Sequence, residues 1–237
     1  MTKTLANDQF APVTDAFGFI DAPIDQVSEF IREWRERLGH PVSKSVVNLP
    51  FPESLRQLEP LTLGVEVREL TLRTDSPWSA YFVNGLPTPD PWSPMTFMAK
   101  ALRRRAVIVG CSTMAVPRAS PQRVAANVRF DLLGPESDDI LYGVRGVQMA
   151  WDGGRYVFVS TGRPQSFEEP AAYQARRVRD RFTPDMLERY AAALGIRLFD
   201  PNFYRPEGML IEHAVDFPLE TYSIEQAQAR WGVLTPR

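Results

Sequence analysis

One short stretch limits the fold of this chain more than any other. The sequence VQMAWDGGRYVFVS, residues 147–160, places two apolar runs on either side of Asp152-Gly153-Gly154. Two such runs around an Asp-Gly turn are typical of a β-hairpin, because the turn needs residues that adopt positive φ at little cost. The chain therefore has to accommodate antiparallel sheet in this region.

Further strands are predicted wherever a short apolar or alternating run ends at turn residues. The turn TDSP separates two of them, and the proline-rich loop GLPTPDPWSP follows the second. The predicted strands are FGFI (17–20), LTLGVEVRELTLR (61–73), WSAYFVNG (78–85), AVIVGCSTMAV (106–116), VAANVRFDLLG (124–134) and GMLIEHAVDF (208–217).

Helical spacing of apolar residues, together with start and stop signals, predicts five helices. The first has Pro23 at its first helical position and ends at Gly39, and the second is capped by Ser93 and continues to the triple arginine. The last begins with a Ser223…Gln226 capping box. Their ranges are 21–39, 93–105, 168–182, 183–195 and 223–231.

The order of these elements predicts an α+β fold, with a mostly antiparallel sheet and helices packed on one side. A chain of 237 residues can form one domain, 1–237, and a division near residue 60 is the alternative. The absence of a secretory signal layout and of a long apolar run predicts a cytoplasmic protein with no membrane segment.

Charge is unevenly distributed along this mildly acidic chain, whose formal net charge is −2. Residues 91–130 carry no acid at all, and their bases are Lys100, Arg103, Arg104, Arg105, Arg118, Arg123 and Arg129. Acids from other segments would neutralise this stretch, or it would form a positive patch that attracts anions or an acidic partner. The sequence leaves both interpretations open.

No group of residues forms a recognisable catalytic or metal site. Cys111 lies within an apolar run, which predicts an inert core thiol, and a single cysteine excludes internal disulfides. Glu212 and His213 would point to opposite faces of a strand, which opposes shared metal coordination. The paired acids Asp138-Asp139 and Glu168-Glu169 are explained by a turn and a helix start. We therefore predict no catalytic residues, no metal and no cofactor.

Two arginine-rich segments, ALRRRAV (101–107) and ARRVRDRF (175–182), raise the question of nucleic-acid binding. The overall acidity disfavours it, and the helix after the second segment has few residues that could read base edges. Arg176 and Asp180 lie at helical i,i+4 spacing and are expected to pair. The triple arginine suits the negative end of the helix that precedes it.

Two segments resemble an uncharacterised family of bacterial hypothetical proteins. They are WSAYFVNGLPTPDPWSP (78–94), with a W-x-A-Y-F-x-N-G pattern, and the arginine-rich block that ends in FDPNFY (199–204). The resemblance covers residues 65–205 and associates the chain with bacterial genes of the toxin–immunity kind. It also aligns Leu102-Arg103-Arg104-Arg105 with a Leu-Gly-Cys-Arg-Gly type of turn, which implies a helix terminus there.

These observations favour a non-catalytic binding protein, of the immunity type that binds and neutralises a protein toxin. The alternative is an enzyme or binding protein for a small anionic metabolite, which would be held by arginine clamps in a concave pocket. Tryptophan, tyrosine and arginine are enriched at binding hot spots. The predicted partner-binding residues are Tyr81, Asn84, Asp90, Trp92, Arg103, Arg104, Arg105, Arg176 and Arg179.

Overall fold

An antiparallel sheet of nine strands organises the computed structural model, which describes residues 3–112 and 127–231. The helices are α1 (Ile24–Arg37), α2 (Trp92–Leu102), α3 (Pro184–Ala193) and α4 (Ile224–Trp231). The strands are β1 (Ala16–Ile20), β2 (Val42–Asn48), β3 (Leu61–Leu63), β4 (Arg68–Thr74), β5 (Ser79–Val83), β6 (Gly85–Leu86), β7 (Ala106–Ser112), β8 (Asn127–Leu133), β9 (Gly143–Trp151), β10 (Tyr156–Gly162), β11 (Tyr204–His213) and β12 (Thr221–Tyr222).

The large sheet has the strand order β10-β9-β8-β7-β1-β5-β4-β11-β2, and a small sheet has the order β12-β3-β6. The predicted α+β class with a mostly antiparallel sheet is confirmed. Strand β1 lies at the centre of the large sheet, where it pairs with β5 on one side and β7 on the other. The first 60 residues thus supply a central strand of the large sheet.

The helices lie on both faces of the sheet, and not on one side as the sequence suggested. On one face, α1 and α2 cover a core that includes Ile20, Tyr81 and Ile108. On the other face, α3 and α4 cover a larger core that includes Phe17 and Phe82. Both faces of the central strands β1, β5 and β7 are buried, so apolar residues occupy odd and even positions there.

Most local predictions are confirmed. The hairpin of β9 and β10 pairs Trp151 with Tyr156, and Asp152 Oδ1 accepts hydrogen bonds from two amides of its turn. The capping box is also present, since the Ser223 N–H donates to Gln226 Oε1 and the Gln226 N–H donates to Ser223 Oγ. The run 61–73 forms two strands, β3 and β4, because the chain turns at Gly64 with φ +85°.

Three outcomes differ from the sequence predictions or fall outside the structure. Strand β2, at the edge of the large sheet, was not identified from sequence. The predicted helix over 168–182 is wrong, because this segment contains two short 3₁₀ helices, Pro170–Gln174 and Val178–Asp180. The ends of two predicted strands (113–116 and 124–126), and the residues Arg118 and Arg123, lie outside the described residues.

A buried ion pair joins the start of the segment after residue 167 to the large sheet. Arg145 on β9 binds Glu168 through two parallel hydrogen bonds of 2.8 and 2.7 Å, and both side chains are almost fully buried. Glu168 also accepts hydrogen bonds from the Gln165 N–H and from the Tyr173 hydroxyl. Burial alone would raise the pKa of Glu168, but these hydrogen bonds outweigh burial and lower it.

Removal of the Glu168 carboxylate is expected to be strongly destabilising. The variant Glu168→Ala leaves the Arg145 guanidinium buried without its partner, so the free energy of unfolding should fall by about 3–5 kcal/mol. The matched control is Glu169→Ala, since Glu169 forms an exposed ion pair with Arg189. That variant should lose about 1 kcal/mol or less. Urea unfolding measures both, and equal losses would contradict this account of Glu168.

Candidate functional site

Tyr81 and Asn84, two of the predicted partner-binding residues, are fully buried. The Tyr81 hydroxyl donates to Glu69 Oε2 at 2.5 Å, and Arg35 of α1 donates from Nε to Glu69 Oε1 at 2.6 Å. Asn84 Oδ1 accepts hydrogen bonds from the N–H groups of residues 67 and 68. Both side chains therefore serve the fold, and neither can contact a partner.

Asp90 and Trp92 lie at the start of α2, whose cap is Pro91, two residues earlier than the predicted cap at Ser93. The exposed Asp90 carboxylate accepts a hydrogen bond of 3.1 Å from the Trp92 N–H. The Trp92 ring is half-buried and lies 5.1 Å from the Arg129 guanidinium, which is paired with Asp131. Burial raises the pKa of Asp131. Trp92 thus shields a partly buried ion pair, which leaves little of its ring for a partner.

The triple arginine follows the end of α2, as predicted. Arg103 adopts the left-handed conformation with φ 53°, and the Arg104 N–H donates to the carbonyl of Ala99 at 3.0 Å. This arrangement is the usual Schellman ending of a helix, in which glycine normally takes the left-handed position. Arg105 pairs with Glu136. The side chains of Arg103 and Arg104 are exposed and make no ion pair within residues 3–112 and 127–231.

Replacement of Arg103 by glycine should stabilise the protein. The left-handed conformation costs a residue with a Cβ about 1–2 kcal/mol, and the greater freedom of glycine in the unfolded chain offsets part of that gain. We expect Arg103→Gly to raise the free energy of unfolding by about 0.5–1 kcal/mol. Thermal unfolding measures the change in stability. The control is Arg104→Gly, which replaces a residue outside the left-handed conformation and should not be stabilising. A loss of stability in Arg103→Gly would contradict this account.

Arg176 and Arg179 are exposed and lie far from the triple arginine in the fold. Their segment is flanked by Tyr173 and Phe182, which are buried in the core on the α3 face, whereas α2 covers the opposite face. Since the segment is not an α-helix, the expected pair between Arg176 and Asp180 does not form. Asp180 lies instead 3.9 Å from Arg179. The two arginine clusters therefore do not form one surface.

Cys111, the single cysteine of the chain, occupies a buried position. Cys111 donates a hydrogen bond from Sγ to the carbonyl of Lys3, and burial, with Asp8 and Asp15 nearby, raises the pKa of its thiol to about 12. Such a thiol does not supply a thiolate near neutral pH. In the described part of the chain, no three His, Cys, Asp or Glu side chains converge as a metal site requires. Among the same residues, no helix combines the length and the apolar character needed to cross a membrane.

His213 is buried beside His40, with ring centroids 5.1 Å apart. Its Nδ1 has no hydrogen-bond partner among the described residues. Burial lowers the pKa of His213 to about 4, and the nearby Arg35 and His40 contribute to this shift. His213 is therefore neutral in the native protein under conditions where an exposed histidine is partly charged.

The pKa of His213 is lower in the native protein than in the unfolded chain, and this difference makes the free energy of unfolding depend on pH. Between pH 6.5 and pH 4 the unfolded chain binds a proton at residue 213 and the native protein does not, so stability falls as pH decreases. The loss attributable to His213 should be on the order of 3 kcal/mol at pH 4. Urea unfolding at several pH values should show a shallower decline for His213→Gln than for the natural protein. Equal declines would contradict the assignment.

An aromatic cluster lies at the surface between α1 and α2, and the sequence did not reveal it. We define the aromatic cluster as Phe30, Trp34 and Phe97, with ring centroids 4.7 Å apart for Trp34 and Phe97 and 5.5 Å apart for Phe30 and Phe97. Phe97 retains 40% of its surface exposed. Phe30 and Phe97 fall outside the apolar stripes that face the sheet, and this is the signal that could have identified them.

Several bases follow Phe97 along α2 and just after it. Lys100, one turn after Phe97, donates from Nζ to the carbonyl of Ile140 at 3.4 Å, and Ile140 is 78% exposed. Arg103 and Arg104 lie next along the chain, and no acid within the described ranges pairs with Lys100, Arg103 or Arg104. Of the acid-free stretch, Arg105 and Arg129 are neutralised by Glu136 and Asp131, while this end of α2 stays positive.

Comparisons with protein-family models, with curated proteins and with solved structures found no match. The resemblance to a toxin–immunity family therefore stays a prediction. The geometry of the described residues carries the functional argument.

Proposed function

We propose that this protein is a non-catalytic binding protein whose partner docks on the aromatic cluster and on the positive end of α2. The observation that carries the proposal is Phe97, which is 40% exposed in contact with Trp34 and Phe30. A large aromatic ring on a rigid helix, surrounded by other apolar groups, is a common anchor at protein interfaces. Three unpaired bases beside it favour an acidic protein partner.

The helices that carry this surface are rigidly held, which favours binding. Arg35 fixes α1 to the sheet through Glu69, and Met95 and Met98 bury the inner face of α2. The aromatic rings are thus presented in one arrangement, and binding requires little ordering of the backbone. Ile140, whose carbonyl accepts a hydrogen bond from Lys100 of α2, is a further exposed apolar residue on this side.

We further propose that the partner is a protein toxin and that the chain acts as its immunity protein in the cytoplasm. The resemblance of residues 65–205 to a family associated with toxin–immunity genes supports this, as does the electrostatic character of the surface. An immunity protein has to bind its toxin tightly and cover it, and it needs no catalytic chemistry of its own. A rigid aromatic surface with a charged rim suits that task.

The variant Phe97→Asp should abolish partner binding. It removes an aromatic anchor and places a negative charge where an acidic partner would dock, so we expect a loss of about 2 kcal/mol or more in binding free energy. Each product of the neighbouring genes would be expressed alone and together with this chain. One of them should arrest growth alone, and the natural chain should restore growth whereas Phe97→Asp should not.

The matched control is Val159→Ser, because Val159 is 50% exposed on β10, at the opposite edge of the sheet from α1. This variant should protect as well as the natural chain. Unfolding curves for both variants show whether either change affects the fold. The proposal fails if no neighbouring product is toxic, or if folded Phe97→Asp still protects.

A further inference from the structure

A cleft of about 620 Å³ lies between the start of α1, the end of α2 and the turn that joins β4 to β5. Its volume falls within the range of small-molecule sites in proteins. The hydroxyl of Ser79 donates to the carbonyl of Ala22 at 2.6 Å, and the Asp21 N–H donates to the carbonyl of Arg105 at 3.0 Å. These bonds join the walls, so the cleft exists without a ligand.

Charged groups of both signs line the cleft. Arg73 comes from β4 and Arg104 from the end of α2, while the acids are Asp21, Asp25 and Glu207. None of the five side chains makes an ion pair within residues 3–112 and 127–231, although both signs share one concavity. By contrast, the adjoining depression contains Arg205, whose guanidinium is already paired with Asp75.

This arrangement does not suit a multiply charged anion. Two arginines and three acidic residues line the cleft, so a phosphate or a dicarboxylate would meet repulsion from part of the lining. A ligand with one carboxylate and one ammonium group can satisfy both signs at once. The arginines would hold the carboxylate through charge-assisted hydrogen bonds, and the acids would hold the ammonium.

The uncharged residues that line the cleft indicate the chemistry of the ligand's remaining part. Ile24 and Pro77 contribute apolar surface to the cleft, and Trp78 lies behind them, buried in the larger core. The Trp78 ring is held in place because its Nε1–H donates to the carbonyl of Leu194 at 2.9 Å. From this combination we infer that the cleft binds a zwitterionic amino acid with an apolar side chain. This site shares Arg104 with the partner surface proposed above but contains no residue of the aromatic cluster.

Isothermal titration calorimetry with three related probes tests the inference. L-Phenylalanine has both charged groups, phenethylamine lacks the carboxylate, and 3-phenylpropionate lacks the ammonium. L-Phenylalanine should bind, and each analogue should bind about tenfold more weakly or worse, because one set of charged hydrogen bonds is lost. L-Leucine serves as a second zwitterion with a smaller apolar side chain.

Substitutions of the charged residues that line the cleft test what each charge contributes to binding. Arg73→Gln and Arg104→Gln should each weaken L-phenylalanine binding about tenfold, and Glu207→Gln should also weaken it. Arg205→Gln is the matched control, because its guanidinium is engaged by Asp75, and it should leave the affinity unchanged. Phe97→Asp should also bind the amino acid normally, which separates this site from the partner surface.

Two results would overturn the inference. The first is no binding of either L-phenylalanine or L-leucine at millimolar concentration by a chain whose unfolding curve shows it to be folded. The second is equal affinity for L-phenylalanine and 3-phenylpropionate together with no effect of Glu207→Gln, since the carboxylates of the wall would then play no part.

Discussion

A single buried carboxylate fixes the helical layer that carries both proposed binding regions. Glu69 is completely buried on β4, where it accepts hydrogen bonds from Arg35 of α1 and Tyr81 of β5. An uncompensated charge at this depth would be very costly, so α1 has to place Arg35 directly above Glu69. This constraint sets the position of α1 along the sheet. It thereby sets where Trp34 meets Phe97 and where the first turn of α1 forms a wall of the cleft.

Features set by neighbouring residues could be predicted from the sequence, and features set by distant contacts could not. The β9–β10 hairpin and the Ser223–Gln226 capping box depend on residues within a few positions of one another. The failure over 168–182 has a different cause. Glu168 binds Arg145, 23 positions earlier, so the segment begins at a contact with the sheet that its own spacing does not show.

The candidate site shows the same difference between features set by neighbouring residues and features set by distant contacts. The end of α2 at the triple arginine follows from local sequence, whereas the burial of Tyr81 and Asn84 depends on strands and helices that fold over them. An aromatic-rich stretch such as WSAYFVNG is typical both of a binding surface and of a central strand. Strand β5 is central, with α1 and α2 above and a second core below, so its aromatic residues belong to the interior.

Because the sheet separates the two cores, substitutions on one face of the sheet need not disturb the other face. The larger core, beneath α3 and α4, contains neither the aromatic cluster nor the charged lining of the cleft. Changes at distant, independent sites add in their effects on free energy. Stability can therefore be gained or lost on the α3 face while the α1 and α2 face diversifies toward a new partner or ligand. Apart from Trp78, which lies in the larger core and also lines the cleft, the positions that set stability on the α3 face differ from those of the two proposed binding regions.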